Sequence, residues 1–149
     1  MKVESTESLY SWHANVLTFN RKSTVVFVND SNRYIIVLHG MYAKDFKRLN
    51  ELFNEAVRIT FRAEKLNPEL IEQYLQNSPT FSYTRTKDRT SVSRMNRSID
   101  AIHYMLYLLD DKKIIQPIIS MKMSRILISH GEKDFIQPNE KLHNDFKNF

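Results

Sequence analysis

The 149-residue chain is 42% hydrophobic and 26% charged, with a net charge of +5, which fits one globular domain and excludes a membrane-spanning protein. It contains no cysteine, so disulfides, thiolate metal sites and cysteine nucleophiles are excluded. Its two glycines, Gly40 and Gly131, are too few for a Gly-rich phosphate loop or a dinucleotide fingerprint.

Three strands are predicted near the amino end, at His13–Phe19, Thr24–Val28 and Tyr34–Leu38, because these stretches are rich in Val, Ile, Phe and Thr. The turns between them, at 20–23 and 29–33, contain Asn and Asp, which tolerate left-handed backbone angles and hydrogen-bond their own backbone. The second and third strands are continuously apolar. This predicts that the sheet is covered on both faces there.

Apolar residues three or four apart predict an amphipathic helix from about Lys44 to Glu64. The run Asn67-Pro68-Glu69 combines a capping residue, a proline at the first helical position and an early acid. A short helix should therefore follow and end before Pro79. Alternation over Phe81–Thr84 predicts a fourth strand.

The clearest helical pattern lies between Ser91 and Leu109, where apolar residues recur three and four apart. Residues 114–128 are apolar enough to pack as a strand or as a helix, whereas residues 129–149 form a polar tail that we expect to be loosely held. The expected fold class is α+β: a small antiparallel sheet of three to four strands with two main helices packed on it. Residues 1–128 are predicted to form this single domain.

Three short patterns occur in order along the first two-thirds of the chain. Trp12–Leu17 has the form W-x-x-N-x-L, Arg21 stands shortly before the second strand, and Arg89–Asn96 follows much later. In these patterns the chain resembles a bacterial domain family of unknown function, whose last motif is R-[ST]-x-[LV]-G-x-M-N. Ser93 replaces the glycine of that motif. The resemblance covers about Leu9–His103 and implies a fold and a bacterial source, but no activity.

The positive charge is concentrated in the segment that leads into the clearest helix. Between Ser82 and Arg97 five cations face a single acid, so this segment holds four of the five net positive charges. Arginines at a helix N-terminus interact unfavourably with the positive end of the helix dipole. A bound anion would offset this unfavourable interaction. Free backbone N–H groups, hydroxyls and arginine forks together suit a phosphate. The predicted anion or nucleic-acid site consists of Arg85, Lys87, Arg89, Thr90, Ser91, Arg94 and Arg97.

The alternative for these arginines is structural. They would pair with carboxylates elsewhere, such as Glu51, Glu55 or Asp100, and form a solvated face.

Four more residues are candidates for a stacking or ligand platform: Trp12, Asn15, Tyr83 and Asn96. Structural interpretations stand beside these. Trp12 would cap the edge of the core, Asn15 would satisfy backbone groups in a turn, and Asn96 would tie down a neighbouring strand.

His13 is the candidate catalytic residue, if the chain has one. With an arginine to stabilise the phosphate, it would act as the general base in metal-free RNA cleavage. The five histidines lack the spacing of metal ligands, and neither a clustered carboxylate pair nor a G-x-S-x-G elbow is present. No metal site is therefore expected.

Three functions fit these patterns. The favoured one is a non-enzymatic binding module whose basic patch contacts nucleic acid or an acidic protein partner, in a mobile-element or toxin–antitoxin context. The second is a small metal-independent ribonuclease or nucleotide-handling enzyme. The third is a structural domain that forms a homodimer through residues 114–128. We expect no cofactor and no membrane contact, and the absence of cysteine and of a secretory signal favours the cytoplasm.

Overall fold

The computed structural model describes residues 8–19, 21–77, 79–83, 104–126, 128–129 and 135–147, and the elements are numbered over these residues. In chain order they are β1 (Ser11–Phe19), β2 (Lys22–Asn29), β3 (Ile35–Met41), α1 (Ala43–Phe46), α2 (Leu49–Ala63), α3 (Pro68–Gln76), β4 (Thr80–Tyr83), a 3₁₀ helix (Leu106–Leu108), α4 (Pro117–Met123), β5 (Ile128–Ser129), β6 (Phe135–Ile136) and α5 (Pro138–Lys147). The predicted α+β class is confirmed.

Four strands form one mixed sheet in the order β3-β2-β1-β4. The first three strands are the predicted antiparallel meander, with β2 paired to both β1 and β3. The fourth strand is parallel to β1, so the sheet is not purely antiparallel as expected. The reason is the connection: the chain leaves β3 at one edge, passes through the helices α1 to α3, and returns at the opposite edge.

The centre of the sheet is buried on both faces, as the continuous apolar runs predicted. Successive side chains of a strand point to opposite faces. Val25 and Phe27 accordingly join the main core with residues of α2, α3 and α5. Val26 joins a second, smaller cluster with Ile119 and Met123 of α4.

The helices after the meander differ in one respect from the prediction. The expected helix from Lys44 to Glu64 is divided into α1 and α2, with a turn around Arg48, where φ is −110° and ψ is 22°. The cap predicted at Asn67 is present, because its side-chain oxygen accepts a hydrogen bond from the Glu69 N–H at 2.8 Å. Pro68 occupies the first turn of α3 as expected.

Two reversals of the meander use different residues from those predicted. Among the described residues, the non-glycine positions with left-handed φ are Arg21, Arg33 and Lys65, and none of them is Asn or Asp. The predicted bonding of Asn to its own backbone does occur. The Asn29 side-chain oxygen accepts the N–H groups of Ser31 and Asn32 at 2.8 and 3.1 Å.

The carboxyl-terminal third of the chain departs most from the sequence prediction. Most of the helix predicted over 91–109 lies outside the described residues, and its described end contains a 3₁₀ helix at Leu106–Leu108. The ambiguous segment 114–128 contains the helix α4, with Pro117 in its first turn. The tail predicted to be loosely held contains α5, which buries Leu142 and Phe146 in the main core.

The outer edge of β3 is paired near its end with the segment before α4, because the His39 N–H donates to the Ile114 carbonyl and the Gln116 N–H to the Val37 carbonyl. Nearer its start, the edge is covered by α4. The N–H groups of Val37 and Ile35 donate to the hydroxyl oxygens of Ser120 and Ser124 at 3.0 and 2.9 Å. Four residues of a helix advance about 6 Å and two residues of a strand about 6.6 Å. The spacing of the two serines therefore matches the spacing of the two N–H groups. All four groups are buried, and the hydroxyls replace the carbonyls of a fifth strand.

Candidate functional site

His13 forms a close pair with Asp30 on the surface of the sheet. His13 lies in β1 and Asp30 directly follows β2, the neighbouring antiparallel strand. The imidazole Nδ1 is 2.5 Å from the carboxylate Oδ1, and the two side chains are 26% and 25% exposed. A carboxylate that accepts the Nδ1–H leaves Nε2 as the free base of the ring. This pair has the parts of an oriented general base.

The same strand brings His13 close to the beginning of the basic segment. β1 pairs with β4 in a register that places His13 beside Ser82 and Ala14 beside Tyr83. Arg85 follows Tyr83 by two positions in the sequence. The sheet therefore holds the histidine next to the strand from which the basic segment continues.

Trp12 is part of the main core and not of this surface. Its side chain is 1% exposed, and its ring contacts Phe53 edge-on at 5.2 Å between centroids. The indole N–H donates to the Tyr74 hydroxyl at 2.9 Å, and burial raises the pKa of that phenol. In this arrangement neither ring face of Trp12 is open to a base. The structure agrees with the core interpretation, and we do not propose a stacking role for Trp12.

Asn15 lies in the middle of β1, opposite Val26, and not in a turn. The turn amide is Asn29, which donates to the Leu9 carbonyl at 2.9 Å and is fully buried. Because side chains alternate along a strand, Asn15 shares a face with His13, about 7 Å away, and faces away from Trp12. The structure thus brings His13 and Asn15 together but separates Asn15 from Trp12.

The other predicted site residues remain predictions. Arg85, Lys87, Arg89, Thr90, Ser91, Arg94, Asn96 and Arg97 lie outside the described residues, and Tyr83 is described only by its place at the end of β4. Two of the carboxylates named as alternative partners make ion pairs with other arginines. Glu51 pairs with Arg48, the residue before α2, at 3.4 Å, and Glu55 pairs with Arg58 within α2 at 2.6 Å.

A buried histidine that the sequence did not single out connects β2, β3 and the loop at 110–113. His39 is 1% exposed; its Nδ1 lies 2.8 Å from the Thr24 hydroxyl and its Nε2 lies 3.0 Å from Asp111 Oδ1. Thr24, His39 and Asp111 lie in the same order as the nucleophile, base and acid of a catalytic triad. Thr24 is fully buried, so no substrate can reach its hydroxyl. We therefore assign His39 a structural role.

A second unpredicted network joins α2, α4 and the start of β3. The buried Glu64 carboxylate accepts two hydrogen bonds from the Arg125 guanidinium, both at 2.8 Å, and one from the Tyr34 hydroxyl at 2.5 Å. Burial, with the charge of Glu64 second, raises the pKa of Tyr34. The hydrogen bonds to Glu64 raise the pKa of Arg125. Glu64 and Tyr34 are buried, whereas the Arg125 side chain is 38% exposed, so the arginine links the buried carboxylate to the surface.

The described residues were compared with the requirements of a metal site and of a membrane-spanning helix. Within them, no three His, Asp or Glu side chains lie close enough together to hold a metal ion. The helices of the same part of the chain are too short or too polar to cross a bilayer.

The fold and this surface define a small α+β domain in which helices cover both faces of a mixed sheet. A histidine on its first strand pairs with an aspartate that follows the second strand. The chain belongs to the family described as Domain of unknown function (DUF6933), whose model matches residues 1–141. Neither the curated proteins nor the solved structures contain a significant match to the chain. Membership of a domain family without a known activity is therefore confirmed. The family match over residues 1–141 is longer than the stretch of about Leu9–His103 that the short sequence patterns covered.

Proposed function

We propose that this domain is a non-enzymatic binding module that contacts nucleic acid through the basic segment Arg85–Arg97. The observation that carries the proposal is the concentration of positive charge, since this segment holds four of the chain's five net charges. A mobile-element or toxin–antitoxin context, a bacterial source and a cytoplasmic location belong to the same proposal. An acidic protein partner is the alternative ligand.

The distribution of ion pairs supports this role. Several carboxylates in or next to the described helices already have basic partners. Glu51 pairs with Arg48, Glu55 and Glu72 with Arg58, Glu64 with Arg125, and Asp145 with Lys141. Two of these acids, Glu51 and Glu55, are among the groups named above as possible partners of the basic segment. Pairing elsewhere favours an external counter-charge for Arg85–Arg97.

The test is the salt dependence of binding. We expect the full chain to bind a fluorescently labelled single-stranded RNA or duplex DNA. Fluorescence anisotropy measures this binding at salt concentrations from about 50 to 200 mM. Five phosphate contacts on duplex DNA correspond to an affinity loss of about 500-fold over that range. Flat salt dependence would contradict the proposal. Binding to an acidic peptide but not to either nucleic acid would favour the protein partner.

Matched variants separate the basic segment from general surface charge. Arg89→Gln combined with Arg94→Gln should weaken binding about tenfold or more and lower the salt slope by about two. Arg48→Gln combined with Arg62→Gln removes the same charge from the residue before α2 and from its last turn. Both side chains are more than half exposed, and this double variant should change affinity little. Equal losses from both double variants would contradict a role for the segment.

A second candidate, a metal-independent ribonuclease, is favoured by the His13–Asp30 pair. The expected reaction uses Nε2 of His13 as the base, with Asp30 holding the ring in position. RNA cleavage in EDTA should be lost in His13→Ala and reduced in Asp30→Asn, whereas His143→Ala, at a partly exposed histidine in α5, should retain it. Unchanged cleavage by a folded His13→Ala variant would exclude this role.

The predicted homodimer through residues 114–128 is retained only as a further alternative. Within that segment Ile119 and Met123 face the protein's own sheet, whereas Ile118 is 65% exposed. Truncation at Asp111 would remove buried core residues as well, so Ile118 is the better position for a test.

A further inference from the structure

A groove lies between α2 and the loop and helix start at 108–118, and we name it the α2 groove. Its volume is about 520 Å³. We propose that the α2 groove binds a small amphiphile, a molecule with an apolar body and one anionic end group. This proposal does not depend on the function proposed above.

The wall of the groove is suited to an apolar body. Of the eleven described residues that line it, seven are apolar, and they include Leu52 and Ile59 of α2 and Ile114, Ile115 and Ile118 on the opposite side. Ile59 and Ile118 are 40% and 65% exposed, so two isoleucines stand at the opening in contact with water. Covering them with an apolar ligand is favourable, because it removes apolar surface from water.

The size of the groove indicates a small molecule. Pockets that bind drug-sized ligands and cofactors typically measure about 300 to 1,000 Å³ and combine an apolar lining with a few polar groups. The α2 groove falls within this range.

The loop that closes one side is held in place from within the protein. The buried Gln116 side chain donates to the carbonyls of Asp110 and Lys113 at 2.7 and 2.6 Å and accepts from the Asp110 N–H at 2.9 Å. Asp111 is held from the other side by His39, and its carbonyl accepts from Lys22 Nζ at 3.1 Å. A ligand would therefore enter a preformed site with little loss of loop entropy.

The end group is inferred from the charges at the opening. Lys112 and Lys113 line the groove and are exposed, and neither makes an ion pair with a described residue. Asp110, the acid among the lining residues, accepts the N–H of Lys112 at 3.0 Å and so helps to shape the loop. Two ammonium groups beside an apolar wall suit a carboxylate or phosphate at the end of an apolar chain or ring.

The test uses decanoate as the probe and decanol as its uncharged counterpart, each titrated as monomers into the full chain by calorimetry or by NMR. We expect saturable binding of decanoate, with shifts at Ile59, Ile114 and Ile118, and weaker binding of decanol. Ile118→Glu should weaken decanoate at least tenfold. Lys112→Glu combined with Lys113→Glu should weaken decanoate about tenfold and leave decanol unchanged.

Matched controls are available on the same chain. Phe135→Glu changes an apolar side chain that is 66% exposed, against 65% for Ile118, and that is not among the residues lining the groove. Lys122→Glu changes an exposed lysine of α4 that does not line the groove. Both controls should bind decanoate like the unmodified chain. Equal losses in the controls, or no saturable binding of either probe, would overturn the proposal.

Two other outcomes would also overturn it in favour of a different occupant. A concentration-dependent dimer that Ile118→Glu abolishes, without decanoate binding, would assign the groove to a second copy of the chain. Binding to anionic lipid vesicles but not to monomeric decanoate would assign it to a lipid surface.

Discussion

Arg58 and Arg125 each make a two-point contact with one glutamate, and the two glutamates differ in exposure. Glu64, the partner of Arg125, has a side chain that is 1% exposed, whereas Glu72, the partner of Arg58, is 41% exposed. An ion pair in water contributes little to stability, while a buried carboxylate that loses its partner is strongly unfavourable. The exposure of the acid, and not the geometry of the pair, should decide the importance of each arginine.

The first prediction compares Arg125→Met with Arg58→Met, because methionine keeps most of the packing of the arginine stem. Arg125→Met should lower the free energy of unfolding by about 2 to 3 kcal/mol, and Arg58→Met by less than about 1 kcal/mol. Urea unfolding of both variants measures this. Adding Glu64→Gln to Arg125→Met should recover much of the loss, since no uncompensated charge is then buried. Equal effects of the two single variants would contradict the argument.

The second prediction concerns the titration of Glu72. Hydrogen bonds from Arg58 lower the pKa of this exposed carboxyl below its ordinary value. A lowered folded-state pKa contributes stability above the unfolded-state pKa, and this contribution is lost as the pH falls through the folded-state value. In Arg58→Met the pKa of Glu72 should rise toward normal. An NMR titration of the glutamate carboxyl carbons should show this, with Arg48→Met as the control.

At the residue scale the sequence predicts local contacts well and distant ones poorly. The cap at Asn67 was predictable, because the acceptor and the Glu69 N–H are two residues apart. Glu64 and Arg125 are separated by 61 positions, and no local pattern marks them as partners. Trp12 was open to two interpretations because burial of one side chain depends on α2 and α3, which lie far along the chain.

Helix α4 interacts with the sheet through two serines that take the place of a strand. If Ser120 or Ser124 is replaced by alanine, one buried N–H of β3 loses its acceptor. The third prediction is that each substitution lowers the free energy of unfolding by about 1 to 2 kcal/mol. Hydrogen exchange should accelerate at Val37 in Ser120→Ala and at Ile35 in Ser124→Ala. Lys122→Ala, on the exposed side of the same helix, should change stability by less than about 0.5 kcal/mol.

Helix α5 is the element that the sequence analysis described least well. Its apolar residues Leu142 and Phe146 are four positions apart, as on one helical face, but charged and polar neighbours lower the average hydrophobicity of the segment. The fourth prediction is that Phe146→Ala lowers the free energy of unfolding by about 3 kcal/mol or more, because the ring contacts Phe61 and Tyr74 in the main core. Lys147→Ala is the exposed control. A loss below about 0.5 kcal/mol would mean that the tail is not held.

The elements that the sequence predicted correctly are those with strong local signals. The continuous apolar runs located β2 and β3, and the Asn-Pro-Glu run located α3. The direction of β4 was not predictable, because a four-residue strand has no local signal for parallel pairing. The division between α1 and α2 was also missed, because the apolar spacing continues across Arg48.

At the scale of the whole molecule, the two proposed sites differ in how far sequence alone reaches. The basic segment is contiguous, so its charge can be read directly from the residues. The α2 groove is assembled from α2 and from residues 108–118, which are about fifty positions apart, and only the fold brings them together. The same holds for the pair His13 and Asp30, which meet through the register of β1 and β2.

The edge of β3 that Ser120 and Ser124 cover becomes exposed if α4 detaches from the sheet. The backbone of β3 would then present two free N–H donors on a strand that is apolar on both sides, the arrangement that templates pairing between molecules. Partial opening at this one helix would therefore promote aggregation while the remaining three strands are still folded. The resistance of the protein to aggregation at high concentration should therefore depend more on how firmly α4 packs against β3 than on the free energy of global unfolding.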